Sequence, residues 1–256
     1  VVIRVGFKSN QIMVIIVTNG ELPRKKELVS IIRKGLPAVT SIVQNYQTEK
    51  TNVILGSKYR ILWGSDHIID EIGDLKFKIS PLPFYQVNPI QTGILYNKAL
   101  EYADLTGKET VIDAYCGIGT ISLFLARKAA KVYGVEVVPK SIEDAIENAR
   151  INGIDNAEFI TGKSEEIIPE LAKQGIKADV VVVDPPRRGC DEKLLQAIVN
   201  MSLERMVYVS CNPATLARDL KYLTEYGYMV NEIQPVDMFP QTSHVECVTL
   251  MSRVKK

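Results

Sequence analysis

The chain opens on short runs of β-branched residues broken by turn signals. Residues 1–7 and 11–18 are dominated by Val and Ile, and Lys8-Ser9-Asn10 parts them, so the pattern predicts a β-hairpin. Residues 23–34 switch to helical spacing. Pro23 suits a first turn, Leu28, Ile31 and Ile32 share one face, and Gly35 ends the run. Residues 39–47 return to a strand pattern, and 59–63, 67–72 and 75–79 are short strands with turns at Gly64-Ser65-Asp66 and Gly73-Asp74. This first third predicts a small α+β unit. It holds no constellation of chemical groups, and for His67, in a strand-like run, a surface or packed role is expected.

The pattern changes at residues 80–89, SPLPFYQVNP. Two prolines break the strand, and Asn88-Pro89 supplies an N-cap and a first helical residue, predicting a helix to about Ala103. Strands and helices then alternate. Strands are predicted at 110–114, 131–136, 157–161, 179–184, 206–211, 228–238 and 245–252, with helices between the first six. Such alternation predicts a parallel sheet with helices on both faces. The last two strands have no helix between them and should pair antiparallel at one end of the sheet.

Composition narrows the class without naming a function. The 256 residues are 46% apolar and 24% charged, an ordinary globular balance that allows a large core in one domain or two. A net charge of +1 offers no overall basic excess for nucleic acid. Such binding would rest on local patches (Arg24-Lys25-Lys26, Arg33-Lys34, Arg187-Arg188) or on a part outside this chain, and each patch also reads as a solvated face. Cys116, Cys190, Cys211 and Cys247 form no CxxC pair and only two histidines are present, so no structural zinc or iron–sulfur site is expected within the chain. Scattered cysteines without a signal peptide point to a reducing cytoplasm. No apolar run approaches the ~20 residues that span a bilayer. The chain starts Val1-Val2-Ile3, without Met and already strand-like, so a preceding segment is expected.

Four stretches carry candidate chemistry. In Asp113-Ala114-Tyr115-Cys116-Gly117-Ile118-Gly119 a strand ends in an acid, a glycine turn follows, and a helix starts. Glycines let a ligand approach the backbone. Glu136 at the end of the next strand can accept both hydroxyls of a ribose. No third glycine cradles a pyrophosphate, and Asp113 can face a cationic methionine end, so the turn suits S-adenosylmethionine better than a dinucleotide. In the second stretch, four valines deliver Asp184 to the same sheet edge, followed by Pro185-Pro186-Arg187. This resembles the loop of amino-group methyltransferases, but Arg187 stands where their stacking aromatic would be, which argues against amine methylation. In the third, Cys211 ends a strand just before a helix whose dipole should lower its thiol pKa. On residue physics alone Cys211 is either a nucleophile or a small buried hydrophobe. In the fourth, Glu246 interrupts an apolar run, where burial would raise it towards a useful base. His244 nearby is an alternative, with loop bonding its plainer role.

Together these pieces resemble the RNA uracil-5-methyltransferases, which make 5-methyluridine in ribosomal or transfer RNA. The resemblance rests on FYQVNP (84–89), DAYCGIGTISL (113–123), GVEVV (134–138), DPPRRG (184–189), VSCNPATLARD (209–219) and DMFPQTSHVE (237–246). It implies a class I S-adenosylmethionine-dependent methyltransferase domain, a Rossmann-like seven-stranded sheet, at 84–256, after a small α+β RNA-facing domain at 1–83. It implies Cys211 as nucleophile and Glu246 as general base. Gln86, Tyr115, Glu136 and Asp184 would contact the cofactor, beside Asp113 and Gly117 of the glycine turn, with Asp184 shared with the uracil. The implied partner is RNA, 23S rRNA ahead of tRNA, for a cytoplasmic monomer without a metal. Members usually carry an N-terminal OB-like domain, which these residues do not include, and some hold an iron–sulfur cluster whose ligands here would lie upstream of Val1. DPPRRG also departs from the DPAR-G of many members. An RNA cytosine-5-methyltransferase would want a second Cys where Pro186 and Arg187 stand. A methyltransferase without a nucleophile leaves SCNPATLARD without a role, and a non-catalytic RNA-binding module leaves the cofactor residues without one.

Overall fold

A computed structural model describes residues 1–51 and 53–254, and the chain divides into two compact units, Val1–Tyr85 and Gln86–Lys256. The first contains β1 (Val2–Val5), β2 (Ile12–Thr18), α1 (Lys25–Gly35), β3 (Val39–Tyr46) and β4 (Lys58–Gly64), in a sheet of order β1-β2-β3-β4. β1–β2 is the expected antiparallel hairpin, and α1 is the crossover between the parallel β2 and β3. A separate hairpin joins β5 (Ile68–Ile72) to β6 (Leu75–Ile79). Asp70 in β5 accepts the backbone N–H groups of Phe7, Lys8 and Ser9 at 2.9–3.3 Å, which ties this hairpin to the β1–β2 turn.

The helix of this unit departs from the sequence pattern. It begins at Lys25 after Arg24 in the left-handed region (φ 50°), so Pro23 stays outside it. Val29 and Ile32, three residues apart, pack on Val14, Val39 and Ile42, while Ile31 is 59% exposed. At 100° per residue Ile31 and Ile32 cannot both face one sheet. His67 lies just outside β5, its Nδ1 2.6 Å from Asp66 Oδ1 and 3.2 Å from Ser65 Oγ.

The second unit begins with α2 (Pro89–Ala103), capped by Asn88, whose side chain accepts the Gln91 N–H. There follow β7 (Thr110–Ala114), α3 (Thr120–Ala126), β8 (Lys131–Glu136), α4 (Pro139–Ile151), β9 (Ala157–Thr161), α5 (Ser164–Lys173), β10 (Val180–Val183), α6 (Glu192–Met201), β11 (Arg205–Ser210), α7 (Pro213–Glu225), β12 (Tyr228–Val236) and β13 (Glu246–Arg253). The sheet has the order β12-β13-β11-β10-β7-β8-β9, and β13 runs against the rest. The seven strands and the antiparallel end pair are those the sequence pattern predicts. All four valines of β10 are buried, as a strand covered on both faces requires. Each such side chain contributes about 1.5–3 kcal/mol of burial free energy. Among the described residues no helix is long and apolar enough to cross a membrane.

Of the predicted strand ends that fall short, two shape the site. β10 stops at Val183 and β11 at Ser210, so Asp184 and Cys211 lie one residue beyond the ladder. At Ser210 the cause is local: its Oγ accepts the Asn212 N–H at 3.2 Å and donates to Asn212 O at 3.1 Å, turning the chain out of the strand.

Candidate active site

The chain passes from β7 outward to β8 and β9, then returns to β10 on the other side of β7. The strand order reverses between β7 and β10, and open α/β sheets bind ligands at the carboxyl edge of such a reversal. Tyr115, Glu136, Asp184 and Cys211 all sit at carboxyl ends of β7, β8, β10 and β11. Because β13 is antiparallel, its first residue, Glu246, reaches the same edge. Ser210 and Cys247 form the last pair of the β11–β13 ladder, so Cys211 and Glu246 are the next residues of these two neighbouring chain segments at that edge.

The electrostatics at this edge follow from burial and proximity. Glu246 is 3% exposed and its Oε2 has no hydrogen-bond partner. Burial raises its pKa from 4.5 to about 7, opposed by the Arg187 guanidinium. The Asp184 carboxyl is held well above the usual carboxylate range by burial, then by Glu246 and Asp113. Cys211 corrects a sequence expectation. Its thiol is pushed up, not down, by burial and by the Glu246 and Asp184 carboxylates, with Arg187 pulling the other way. Cys211 precedes the Asn212 cap and so stands outside α7, while two acids face it directly. His244 is exposed, its ring edge-on to Phe239 at 6.2 Å, in a loop where Thr242 Oγ1 accepts the His244 N–H.

The glycine turn forms the other half of the crevice. Tyr115 is held at φ 78°, in the left-handed region that few non-glycine residues adopt, and its N–H donates to Val135 O. Glu136 accepts the Gly117 N–H at 3.3 Å and the Val138 N–H at 2.9 Å. A Cβ on Gly117 would meet only open space, so the backbone beside that carboxylate is accessible. Asp113, expected to face a ligand, is fully enclosed. It takes the Ser122 hydroxyl at 2.5 Å, its other oxygen has no partner, and burial lifts its pKa to about 7. It therefore braces the turn against α3 from inside. Gln86 is buried with its Oε1 unpartnered, and two residues on Asn88 Nδ2 donates to Met238 O at 3.2 Å, tying the start of α2 to the loop before β13.

Residues 43–254 match the family described as tRNA (uracil-5-)-methyltransferase. The chain belongs to this family of RNA uracil-5-methyltransferases. An uncharacterized RNA methyltransferase of Clostridium tetani is 59% identical over 98% of this chain and 55% of its own length. One from Bacillus cereus is 60% identical over 100% and 56%. The chain thus spans about half the length of the curated relatives it matches. The Pyrococcus abyssi tRNA (uracil-54, C5)-methyltransferase, solved in complex with S-adenosyl-L-homocysteine, superposes with a TM-score of 0.78 at 32% identity, over 97% of this chain and 58% of that one. The seven-stranded sheet is accordingly that of the class I S-adenosylmethionine-dependent methyltransferases.

The family-like segments DPPRRG and SCNPATLARD prove to be one clamped assembly. Asn212 caps α7 through the Ala214 N–H and its Nδ2 donates to Arg187 O at 2.9 Å. Thr215 Oγ1 donates to the same carbonyl at 3.2 Å. Sequence reasoning missed the electrostatic part of Arg187 and the role of Asp219. The signal was present: Asp219 interrupts the apolar stripe formed by Leu216, Leu220 and Leu223 on α7. Gly189 is needed where the segments meet. It has φ 80°, and a Cβ there would lie 2.5 Å from Arg218 Nη2 and 2.6 Å from Asp219 Oδ2. Gly189→Ala is expected to cost about 1–3 kcal/mol, read as a lower urea midpoint with an unchanged slope. An unshifted midpoint would show that the loop relaxes freely.

Proposed function

We propose that the chain carries the catalytic half of an enzyme that methylates C5 of uridine in RNA. The observation that carries this reading is the meeting of a partly exposed thiol, Cys211, with a buried unpartnered carboxylate, Glu246, at one edge of a methyltransferase sheet. C5 of uracil is a weak nucleophile. The Cys211 thiolate adds to C6, and the C5=C6 electron pair moves into the C4 carbonyl, leaving an enolate whose C5 is nucleophilic. S-adenosylmethionine, when bound, supplies a sulfonium-activated methyl group. After C5 is methylated, the Glu246 carboxylate takes the C5 proton. The C–H electron pair re-forms C5=C6 as the C6–S bond breaks and the thiolate returns. The Asp184 carboxyl, raised by burial and then by its acidic neighbours, would donate to a uracil carbonyl when protonated and stabilise the developing charge.

The crevice suits the methyl donor. The open space over Gly117 lies beside Glu136, whose carboxylate would take the ribose hydroxyls, and the unpartnered Gln86 Oε1 is a further acceptor. Tyr115 and Asp184 complete the set, and Asp113 acts on it through the turn.

RNA binding is assigned to the first unit. Val1–Tyr85 carries twelve Lys and Arg against seven Asp and Glu, and the remainder nineteen against twenty-three, so the near-neutral total conceals a basic first unit. The decisive experiment is release of tritium from RNA labelled at uracil C5, with methyl donor present. Two substrates are compared: 23S rRNA, the class expected from the motifs, and tRNA, which the likeness to the Pyrococcus abyssi enzyme favours. Release from either supports the reading and names the class; methyl transfer to RNA without C5 release overturns it.

A further inference from the structure

Asp219 is 1% exposed and saturated with donors. Its Oδ2 accepts the Tyr208 hydroxyl at 2.6 Å and the Cys190 N–H at 2.8 Å, and its Oδ1 accepts Arg218 Nε at 2.8 Å. Arg218 Nη2 also donates to Arg188 O at 2.9 Å. One carboxylate thus joins three parts: β11 three residues before Cys211, helix α7, and the loop that carries Asp184 and Arg187. A buried network of this kind is rigid while complete, because losing one member strands the others without partners.

The consequence lies in what faces Cys211. Glu246 approaches it from β13, and Asp184 and Arg187 from the loop after β10. Of these three, only the Arg187 guanidinium favours a negative sulfur. Arg187 is exposed, and its loop is held by the contacts of the Arg187 carbonyl with Asn212 and Thr215, by the Gly189 N–H donating to Pro186 O at 2.8 Å, and by the Asp219–Arg218 anchor at 188–190. We infer that Asp219 is a positioning residue: it locks the DPPRRG loop so that Arg187 stays beside Cys211 and Glu246, and thereby sets how readily Cys211 becomes a thiolate. The inference rests on the reading of Cys211 as nucleophile, yet its test needs neither RNA nor methyl donor.

The test is the pH dependence of iodoacetamide alkylation of Cys211 in the full chain, with Cys211→Ala as the blank. Cys116, Cys190 and Cys247 are buried, so the partly exposed thiol reacts first. In Asp219→Asn the alkylation midpoint is expected to rise by about half a unit to one unit, the effect of one cation moved several ångströms away in a partly solvated site. Asp219→Glu should recover part of the shift. An unmoved midpoint in folded Asp219→Asn, even with a lower melting temperature, makes Asp219 purely structural and overturns the inference. Should Asp219→Asn not fold, Tyr208→Phe decides instead. It removes one donor and keeps the ring, and its midpoint must move up by a smaller amount. Full methyl transfer by Cys211→Ala would sink the reading of the site while leaving the alkylation result standing.

Discussion

Cys211→Ala is expected to lower methyl transfer by at least about three orders of magnitude, since without the thiol C5 has no route to become nucleophilic. The same variant should form no covalent complex with 5-fluorouridine RNA. In the wild-type protein that complex should map by mass spectrometry to the peptide bearing Cys211. Affinity for S-adenosylmethionine should stay within about twofold, because the groups proposed to hold it lie around Glu136 and Gly117, where the Glu136 carboxylate is bonded to the Gly117 and Val138 N–H groups. Measurable turnover in the variant would rule out Cys211 as the nucleophile. Loss of donor binding along with activity would instead indicate a collapsed site.

Glu246→Gln should separate the two halves of the reaction. The thiol can still add and the methyl can still transfer, but nothing removes the C5 proton. Turnover is expected to fall by about 10²–10⁴-fold while a covalent RNA adduct accumulates, visible as a slow-migrating band on a denaturing gel. No adduct means that Glu246 is not the base. The pH dependence carries its own sign. Glu246 has its pKa raised by burial from 4.5 to about 7, so its basic form is lost as pH falls below about 7, and the wild-type rate should rise through that pH. Stability runs the opposite way. Between 4.5 and about 7 the folded state holds this proton more tightly than the unfolded state, so Glu246 lowers stability as pH rises across that interval. Glu246→Gln removes the penalty and should melt higher than wild type at pH 8, with the two converging near pH 4. Equal melting temperatures at pH 8 would show that the carboxylate is not strained by burial.

Much of the second unit was legible from residue patterns, and for a physical reason. Its strands are short apolar runs buried on both faces, as in Val180–Val183, and helices capped by Asn88-Pro89 or Asn212-Pro213 announce their own starts. Such signals are local. The glycine turn was readable because its residues are consecutive in the chain, and Glu136 because it closes the next apolar strand run. The α1 face was misread because Leu28, Val29, Ile31 and Ile32 offer two overlapping apolar stripes, and only the sheet beneath selects between them. The Cys211 thiol was misjudged for a related reason. A helix start is visible in sequence, whereas the carboxylates that face the sulfur come from residues 184 and 246.

Beyond what the family resemblance implies for Cys211 and Glu246, the sequence by itself determined the fold class, the order of strands and helices along the second unit, and the glycine turn. These depend on periodicity, capping and residue type, which neighbours in the chain decide. Only the tertiary structure decided that the antiparallel β13 enters between β11 and β12, which brings Glu246 to the strand beside the one that leads to Cys211. It alone showed that Asp113 is enclosed and braces the turn, and that Asp219 clamps the loop bearing Arg187. Charge, burial and hydrogen bonding between residues tens of positions apart are properties of the space between strands, and no stretch of chain contains them.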